Sequence, residues 1–579
     1  SGPNRVHVTR MDRANTNAFI ESSIGLGRTS GGTETVPNQF SRYEDAIGYW
    51  TQTWGTRNDV VVAINGSYYN TTTGEPYGGL VHSGWYAKRY DNVSGQSGFM
   101  WDLNRNATMG LCVTHEGYKN FITYATTNTQ QFQGIGRARG DNELIIYTPQ
   151  YDTNTKTDST GSEVLVEMSP EPFLIKPTPN YVIGTVKQIR QNLGSTQIPF
   201  DHIVLSAKGT AATTMLNNVQ VGDTINVSQE VRHLIADCSA NRSGIDWTKS
   251  YAGISGNWVF LRDGVIQYGI DSTGDRHPRT AIGLNGSYVF YLVVDGRQPG
   301  YSIGMTIDEL AEFFKYTLDA TWACNQDGGG SSTMVVNGTV MNSPSDGSPR
   351  SVANGMLMCN LLTKSQSTTF SADETVQTTG SAYCRLGPGT NYASIATIAS
   401  GTQGTIQDHN LKGVYAKGYY WWKVAFPTTT GWVTESLLGG SGGSDDVCFT
   451  NNDLETFTSG VATDWTASGS SATYSASTDR YSGAYSQEIL WTTSGSKVSA
   501  IYQRVWVKVG VQYSVRAYFR MNDSNRVNGT IRVDYSGGTD PNVCDVIYSS
   551  AQTEWGIKTA TFTKTTGSDG WATVFFGGY

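Results

Sequence analysis

Charge is scarce in this chain. Only 16% of its 579 residues are Asp, Glu, Lys or Arg, and the balance is acidic, at −8. A net negative protein repels a phosphate backbone, so nucleic acid is not an expected partner. No apolar run reaches the length that crosses a bilayer as a helix, so no membrane span is expected. No Cys-x-x-Cys pair occurs among the seven cysteines, which argues against a zinc knuckle. No Asp-x-Asp-x-Asp loop occurs either, so the usual calcium loop is missing. No signal peptide is present and the chain opens on Ser1-Gly2-Pro3, so a leader is expected to have been removed, either in processing or in the preparation of the protein.

What the chain has instead is Gly, Ser, Thr and aromatics, with Gly 66, Tyr 32 and Trp 15. That composition suits a β-rich, secreted, multidomain protein, and the length allows several domains and a sizeable core. An odd number of cysteines leaves at least one unpaired if all bridges are internal. Cys448 and Cys544 are expected to pair inside the last domain, and the others to be buried free thiols.

Hydrophobic patterning predicts strands at Arg5–Arg10, Val60–Ile64, Leu144–Tyr147, Glu163–Met168, Val182–Lys187, His202–Ser206, Ile282–Leu284, Tyr288–Val294 and Gly355–Met358. Asp263-Gly264 predicts a hairpin turn. A helix is expected over Tyr43–Thr53. A clearer one opens at the capping box Thr306-Ile307-Asp308-Glu309, with Ile307, Leu310, Phe314 and Leu318 on one face. Ser- and Thr-rich Lys364–Thr375 and Gly-rich Leu438–Asp446 read as linkers.

The stretch that organises the rest is Asn325-Gln326-Asp327-Gly328-Gly329-Gly330-Ser331-Ser332-Thr333-Met334-Val335-Val336-Asn337-Gly338. A lone carboxylate, Asp327, precedes glycines that permit a tight turn and a close backbone approach. Hydroxyls follow, and then a strand that runs into an Asn-Gly hairpin signal. Backbone N–H groups of such a turn can form an anion-binding concavity.

Around it stand Ala63-Ile64-Asn65-Gly66-Ser67-Tyr68-Tyr69, Arg276-His277-Pro278-Arg279-Thr280-Ala281, Val293-Val294-Asp295-Gly296-Arg297, Pro344-Ser345-Asp346-Gly347 and Arg350-Ser351-Val352-Ala353-Asn354-Gly355. In this order the boxes resemble the phosphodiester glycosidase family, over roughly residues 1–362. Residues 376–438, with Cys384-Arg385-Leu386-Gly387-Pro388-Gly389-Thr390-Asn391-Tyr392, resemble a bacterial SH3-like domain. Residues 447–579, with Asn452-Asp453-Leu454-Glu455 and Trp465, resemble a jelly-roll carbohydrate-binding module. The fold these resemblances imply is an α+β catalytic domain with a mixed β-sheet, then a small SH3-like β-barrel, then a β-sandwich. Trp491, Trp506, Tyr513 and Trp555 are candidates for stacking on sugar faces.

The implied protein is an extracellular hydrolase that cleaves a glycosidic bond at the anomeric carbon of a sugar phosphodiester or related cell-surface glycan. Its C-terminal modules would hold a cell-wall or polysaccharide surface. Arg279 and Arg297 suit a phosphate clamp, because guanidinium offers paired donors. Asp327 and Asp295 are the candidate catalytic carboxylates, and His277 is a candidate acid or base near neutral pH. Asn65, Gly328, Gly329, Gly330, Ser331, Ser332 and Thr333 are candidates for substrate binding. The chemistry requires no cofactor; a structural calcium stays open. Two other readings remain: a glycoside hydrolase on a non-phosphorylated polysaccharide, and a non-enzymatic cell-wall- or glycan-binding protein.

Overall fold

The computed structural model describes the chain except residues 1, 91–96, 116–118, 169, 235–246, 441–448, 482, 493–496, 522–527, 551–552, 554, 569 and 579. It divides into two compact units. The first comprises 1–372, 383–397 and 407–434; the second comprises 373–382, 398–406 and 435–579. Strands dominate both.

Unit 1 carries the glycine turn between two antiparallel sheets. One sheet runs in the order Val6–Asp12, Tyr288–Val294, Arg279–Leu284, Trp322–Asn325, Ser250–Arg262, Ser97–Asp102, Ala107–His115, Val231–Leu234. The other runs Ala18–Ile24, Asn354–Leu362, Thr56–Asn65, Met334–Val336, Thr339–Val340. The chain leaves the first sheet at Asn325, turns through residues 326–333, and enters the second at Met334. Both sheets are antiparallel rather than mixed. Gly134–Ile135 pairs in parallel with Leu144–Tyr147, in a third sheet built from the less typical middle of the chain.

The expected turns form as the residues dictate. Asn337 and Gly338 have φ of 46° and 76°, and Asp263 and Gly264 have 45° and 74°, the left-handed pairs a two-residue hairpin demands. The capping box closes on both sides, with Thr306 Oγ1 accepting from the Glu309 N–H and Glu309 Oε2 from the Thr306 N–H, each at 3.1 Å. The helix Ile307–Glu312 then widens into a π-turn over Phe313–Thr317. Phe314 packs on the sheet where Gly283 leaves no side chain in its way.

The helix expected over Tyr43–Thr53 lies earlier, at Val36–Tyr43, with Thr35 as its cap. Asp45, Thr51 and Gln52 all have positive φ, which breaks any helix through that stretch. Its aromatics serve the core instead: Trp50 stacks on Phe19 with ring centroids 5.1 Å apart.

Strands of the expected SH3-like segment fall in both units. Val414–Ala416, Tyr419–Ala425 and Thr430–Thr434 belong to unit 1. There Leu411, Val414, Trp421 and Trp432 share a core with Ile47 and Phe200. Beneath that contact the buried Asp201 carboxylate meets His202 Nδ1 at 2.6 Å, His409 Nε2 at 2.8 Å and Lys423 Nζ at 3.1 Å. In unit 2, Thr375–Thr378 pairs with Gln403–Ile406 and with Leu438–Gly440.

The rest of unit 2 has a five-stranded antiparallel sheet: Thr466–Ser468, Ser499–Val507, Gly570–Gly578, Gly529–Asp534, Asp545–Ser550. It shares an apolar core with the pair Gln512–Phe519 and Gly556–Thr563. Tyr513 belongs to that core and is not available to a sugar. Trp491 and Trp555 are half-buried.

Two cysteine expectations are corrected. Cys544 is a free thiol, its S–H directed at the Pro541 carbonyl, so the Cys448–Cys544 bridge is not formed; Cys448 itself lies outside the described residues, as does Cys238. Cys112 is disulfide-bonded rather than free. Spacing along a chain carries no information on sulfur-to-sulfur distance. Cys324, Cys359 and Cys384 are buried free thiols as expected.

Candidate active site

Asn65 ends its strand and pins the glycine turn. Its Nδ2 donates to the Asp327 carbonyl at 2.7 Å, while its Oδ1 accepts from Thr280 Oγ1 at 2.7 Å and from the Thr333 N–H at 3.1 Å. This fully buried side chain is thus spent on the protein and is not turned to a substrate. Further backbone bonds fix the same turn: Asp327 N–H to the Gly66 carbonyl and Gly329 N–H to the Pro278 carbonyl, both 2.9 Å.

The turn itself needs glycine. Gly329 has φ of 62°, and a Cβ there would lie 3.1 Å from Arg297 Nη1 and 3.2 Å from Nη2. A Cβ on Gly330 would strike Arg350 and the Asp346 carboxylate. So two guanidiniums, Arg297 and Arg350, stand against backbone within three residues of Asp327. Arg350 is ion-paired with Asp346 at 2.6 Å, and Arg297 is exposed, its Nη2 3.4 Å from His277 Nδ1.

Asp327 is half-buried. Burial pushes its carboxyl above the usual carboxylate range; the Ser331 hydroxyl, the Gly328 N–H and the Arg350 charge offset this only in part. Burial, then the charges of Arg279 and Arg297, hold His277 below the ordinary imidazole value, so at neutral pH it is a proton acceptor.

Arg279 is buried beside the turn. Its Nε donates to the Met305 carbonyl at 3.0 Å and its Nη2 to the Asp275 carbonyl at 2.8 Å, with Asp271 at 3.4 Å. Tyr68 feels the charges of both Asp327 and Arg279, and its phenol is raised by burial first and Asp327 second. Its oxygen accepts from Asn325 Nδ2 at 3.1 Å.

Asp295 sits differently. Its buried carboxylate accepts from Asn342 Nδ2 at 3.0 Å, the Ser343 N–H at 2.9 Å and the Tyr301 hydroxyl at 3.4 Å, with His7 Nε2 at 3.2 Å. Burial alone would raise it, but His7, Asn342 and the Ser343 N–H hold it below the ordinary value. Asn342 in turn donates to the Ser332 carbonyl at 3.0 Å and accepts from the Met334 N–H at 2.9 Å. Asp295 therefore braces the hydroxyl box Ser331-Ser332-Thr333 from behind.

Residues 186–358 match the phosphodiester glycosidase (NAGPA) family model. No curated protein matches the chain. Among solved structures, an exported-type protein from Burkholderia pseudomallei is 19% identical, with TM-score 0.43, over 62% of this chain and 74% of that one. A hypothetical protein from Synechocystis is 15% identical, with TM-score 0.43, over 62% of this chain and 60% of that one, so less than two thirds of its length is spanned. The catalytic domain of zebrafish N-acetylglucosamine-1-phosphodiester alpha-N-acetylglucosaminidase, auto-inhibited by its pro-peptide, is 15% identical, with TM-score 0.28, over 62% and 84%.

The matched residues 186–358 contain every expected site residue except Asn65, which reaches them from the strand Thr56–Asn65. Tyr68 and Arg350 were visible in their sequence boxes without a role. Their place beside Asp327 comes from long-range packing, for which the sequence carries no local signal. The buried Asn325 Oδ1, Gln326 Oε1, Ser332 Oγ and Thr333 Oγ1 have no hydrogen-bond partner, the state of polar atoms that a polar ligand or ordered water completes. Among the described residues, Glu167, Asp201 and His409 group closely enough to suit a metal ion, but Lys423 already supplies the positive charge there. Asp346 likewise is neutralised by Arg350.

Proposed function

We propose that unit 1 is a hydrolase that cleaves the bond between the anomeric carbon of a sugar and a phosphodiester oxygen. The observation that carries this reading is the flanking of the Asp327 turn by the guanidiniums of Arg297 and Arg350. Their donors take the anionic phosphate and stabilise charge as the C1–O bond breaks. The departing phosphate monoester is weakly basic and needs little protonation. Asp327 acts at the anomeric carbon, and neutral His277 accepts a proton from the attacking water. Arg279 positions the turn and Tyr68, and Asp295 positions the hydroxyl box. The protein works outside the cell, and its C-terminal segment holds it to a polysaccharide surface.

The test compares hydrolysis of a sugar 1-phosphodiester with that of a nitrophenyl glycoside of the same sugar. Turnover of the first, abolished in a folded Asp327→Ala variant, supports the reading. Equal rates on both substrates transfer it to a phosphate-independent glycosidase, and firm glycan binding with turnover of neither transfers it to a binding protein.

A further inference from the structure

The chain has Trp 15, and among them only Trp506 and Trp571 are exposed, at 51% and 52%. They are direct cross-strand partners in the five-stranded sheet of unit 2. Their ring centroids lie 5.6 Å apart and their planes stand at 88°. One indole therefore lies edge-on to the other, and aromatic surface is left open to solvent. Two exposed tryptophans meeting by chance is costly, since indole is the largest apolar side chain a fold can bury.

The next row on the same face is polar. Thr573 pairs with Arg504 on one side and with Asp534 on the other. By strand alternation these three share the face of Trp571 and Trp506. Thr573 is fully buried, yet its Oγ1 has no hydrogen-bond partner. Arg504 is exposed and makes no ion pair among the described residues. Asp534 uses Oδ1 for the Ser536 N–H and hydroxyl, at 2.7 and 2.6 Å. An orphaned buried hydroxyl between an unpaired guanidinium and a carboxylate, one row from an indole pair, is an arrangement the fold itself does not require.

We propose that this face is a polysaccharide-binding site. Sugar rings present apolar C–H faces that stack on indole, and vicinal hydroxyls that both donate and accept. The Trp506–Trp571 row fits the first property. The Asp534–Thr573–Arg504 row supplies acceptor, hydroxyl and donor for the second. A flat protein partner would gain little from two rings set at right angles beside a polar row. The site rests on the reading of the C-terminal segment as a surface anchor, and is independent of the hydrolysis proposed for unit 1.

The test uses the full chain in pull-down with insoluble chitin, cellulose, xylan and peptidoglycan sacculi. Wild type is expected to be retained by at least one, and Trp506→Ala/Trp571→Ala to bind that polymer at least tenfold more weakly. Its melting curve and its turnover of soluble substrate should stay unchanged. Thr573→Val should weaken binding several-fold, and Trp506→Tyr/Trp571→Tyr should retain most of it. Undiminished binding by the alanine variant overturns the site while leaving the anchor reading in place. No binding by wild type overturns both. A dimer in light scattering that the alanine variant dissolves gives the face to a second copy and also overturns the site.

Discussion

The Arg297 guanidinium lies against the backbone of Gly329, with 3.1 Å between Nη1 and the place a Cβ would take. The left-handed φ of 62° at Gly329 makes the same point from the chain's side. Gly329→Ala therefore has two costs. The backbone strain is about 1 kcal/mol, and the arginine must move away from the turn. The expected outcome is a small loss of stability with a much larger loss of activity, on the order of 10²-fold if the clamp is misplaced. Chemical denaturation and kcat/KM on a sugar 1-phosphodiester separate the two effects. A stability loss with unchanged turnover removes Arg297 from the site.

Asn65 predicts the opposite balance. It ties the Asp327 carbonyl, the Thr280 hydroxyl and the Thr333 N–H together through one buried amide. Asn65→Ala leaves those groups buried and unpaired, each costing about 1–3 kcal/mol. The protein is expected to melt at clearly lower temperature, and the glycine turn to become protease-sensitive before the rest of unit 1. A variant as stable as wild type would mean that the turn holds its shape without this brace.

How far the residues themselves announced this arrangement depends on how local each contact is. Asn337-Gly338, Asp263-Gly264 and the Thr306–Glu309 capping box specify their geometry within four residues, and each forms as read. Asp327 could be singled out because glycines and hydroxyls cluster beside it. Asp295 carried the same kind of signal, a carboxylate before a glycine and an arginine. Yet its partners His7, Tyr301, Asn342 and Ser343 turn it into a brace, and His7 lies 288 positions away. Tyr68 and Arg350 reach Asp327 only through sheet pairing across the domain, which no local pattern encodes. The signature loop of the SH3-like segment shows the same limit. The Leu386 carbonyl accepts from the Phe200 N–H at 3.1 Å, and Gly387 packs against the Phe200 side chain, so packing within unit 1 occupies it.

Within unit 1, Asp201 fastens residues 407–434 to the strands before residue 372. Burial would raise its carboxyl, but His202 and Lys423 hold it well below the ordinary range, with His409 also bonded to it. A depressed carboxyl contributes stability that is present above its unfolded value of about 3.9 and is lost as pH falls through the lower folded value. Asp201→Asn removes the anion and leaves Lys423 facing a neutral amide, a change expected to destabilise by about 3 kcal/mol at neutral pH. Hydrogen exchange should then rise first in residues 407–434. The difference from wild type should shrink towards pH 2. A uniform loss across unit 1, constant with pH, would show that the carboxylate charge is not what holds the contact.

Asp327 carries the opposite sign. Its folded carboxyl is raised, chiefly by burial, so ionising it costs stability as pH rises through the window between about 3.9 and the higher folded value. Asp327→Asn removes that cost. The variant should match wild type below about pH 4 and be more stable than wild type at neutral pH. Its turnover of a sugar 1-phosphodiester should fall by about 10²–10³-fold, the range for loss of one group that stabilises charge at the reacting centre. The acid limb of wild-type kcat/KM should lie above the ordinary carboxylate value, because the group must be ionised to act at the anomeric carbon. Arg350→Ala, by removing the nearby cation, should move that limb further up. Thermal melts at two pH values and one pH–rate profile decide the matter: a neutral-pH destabilisation by Asp327→Asn, or an acid limb that ignores Arg350, would place the reactive carboxylate elsewhere.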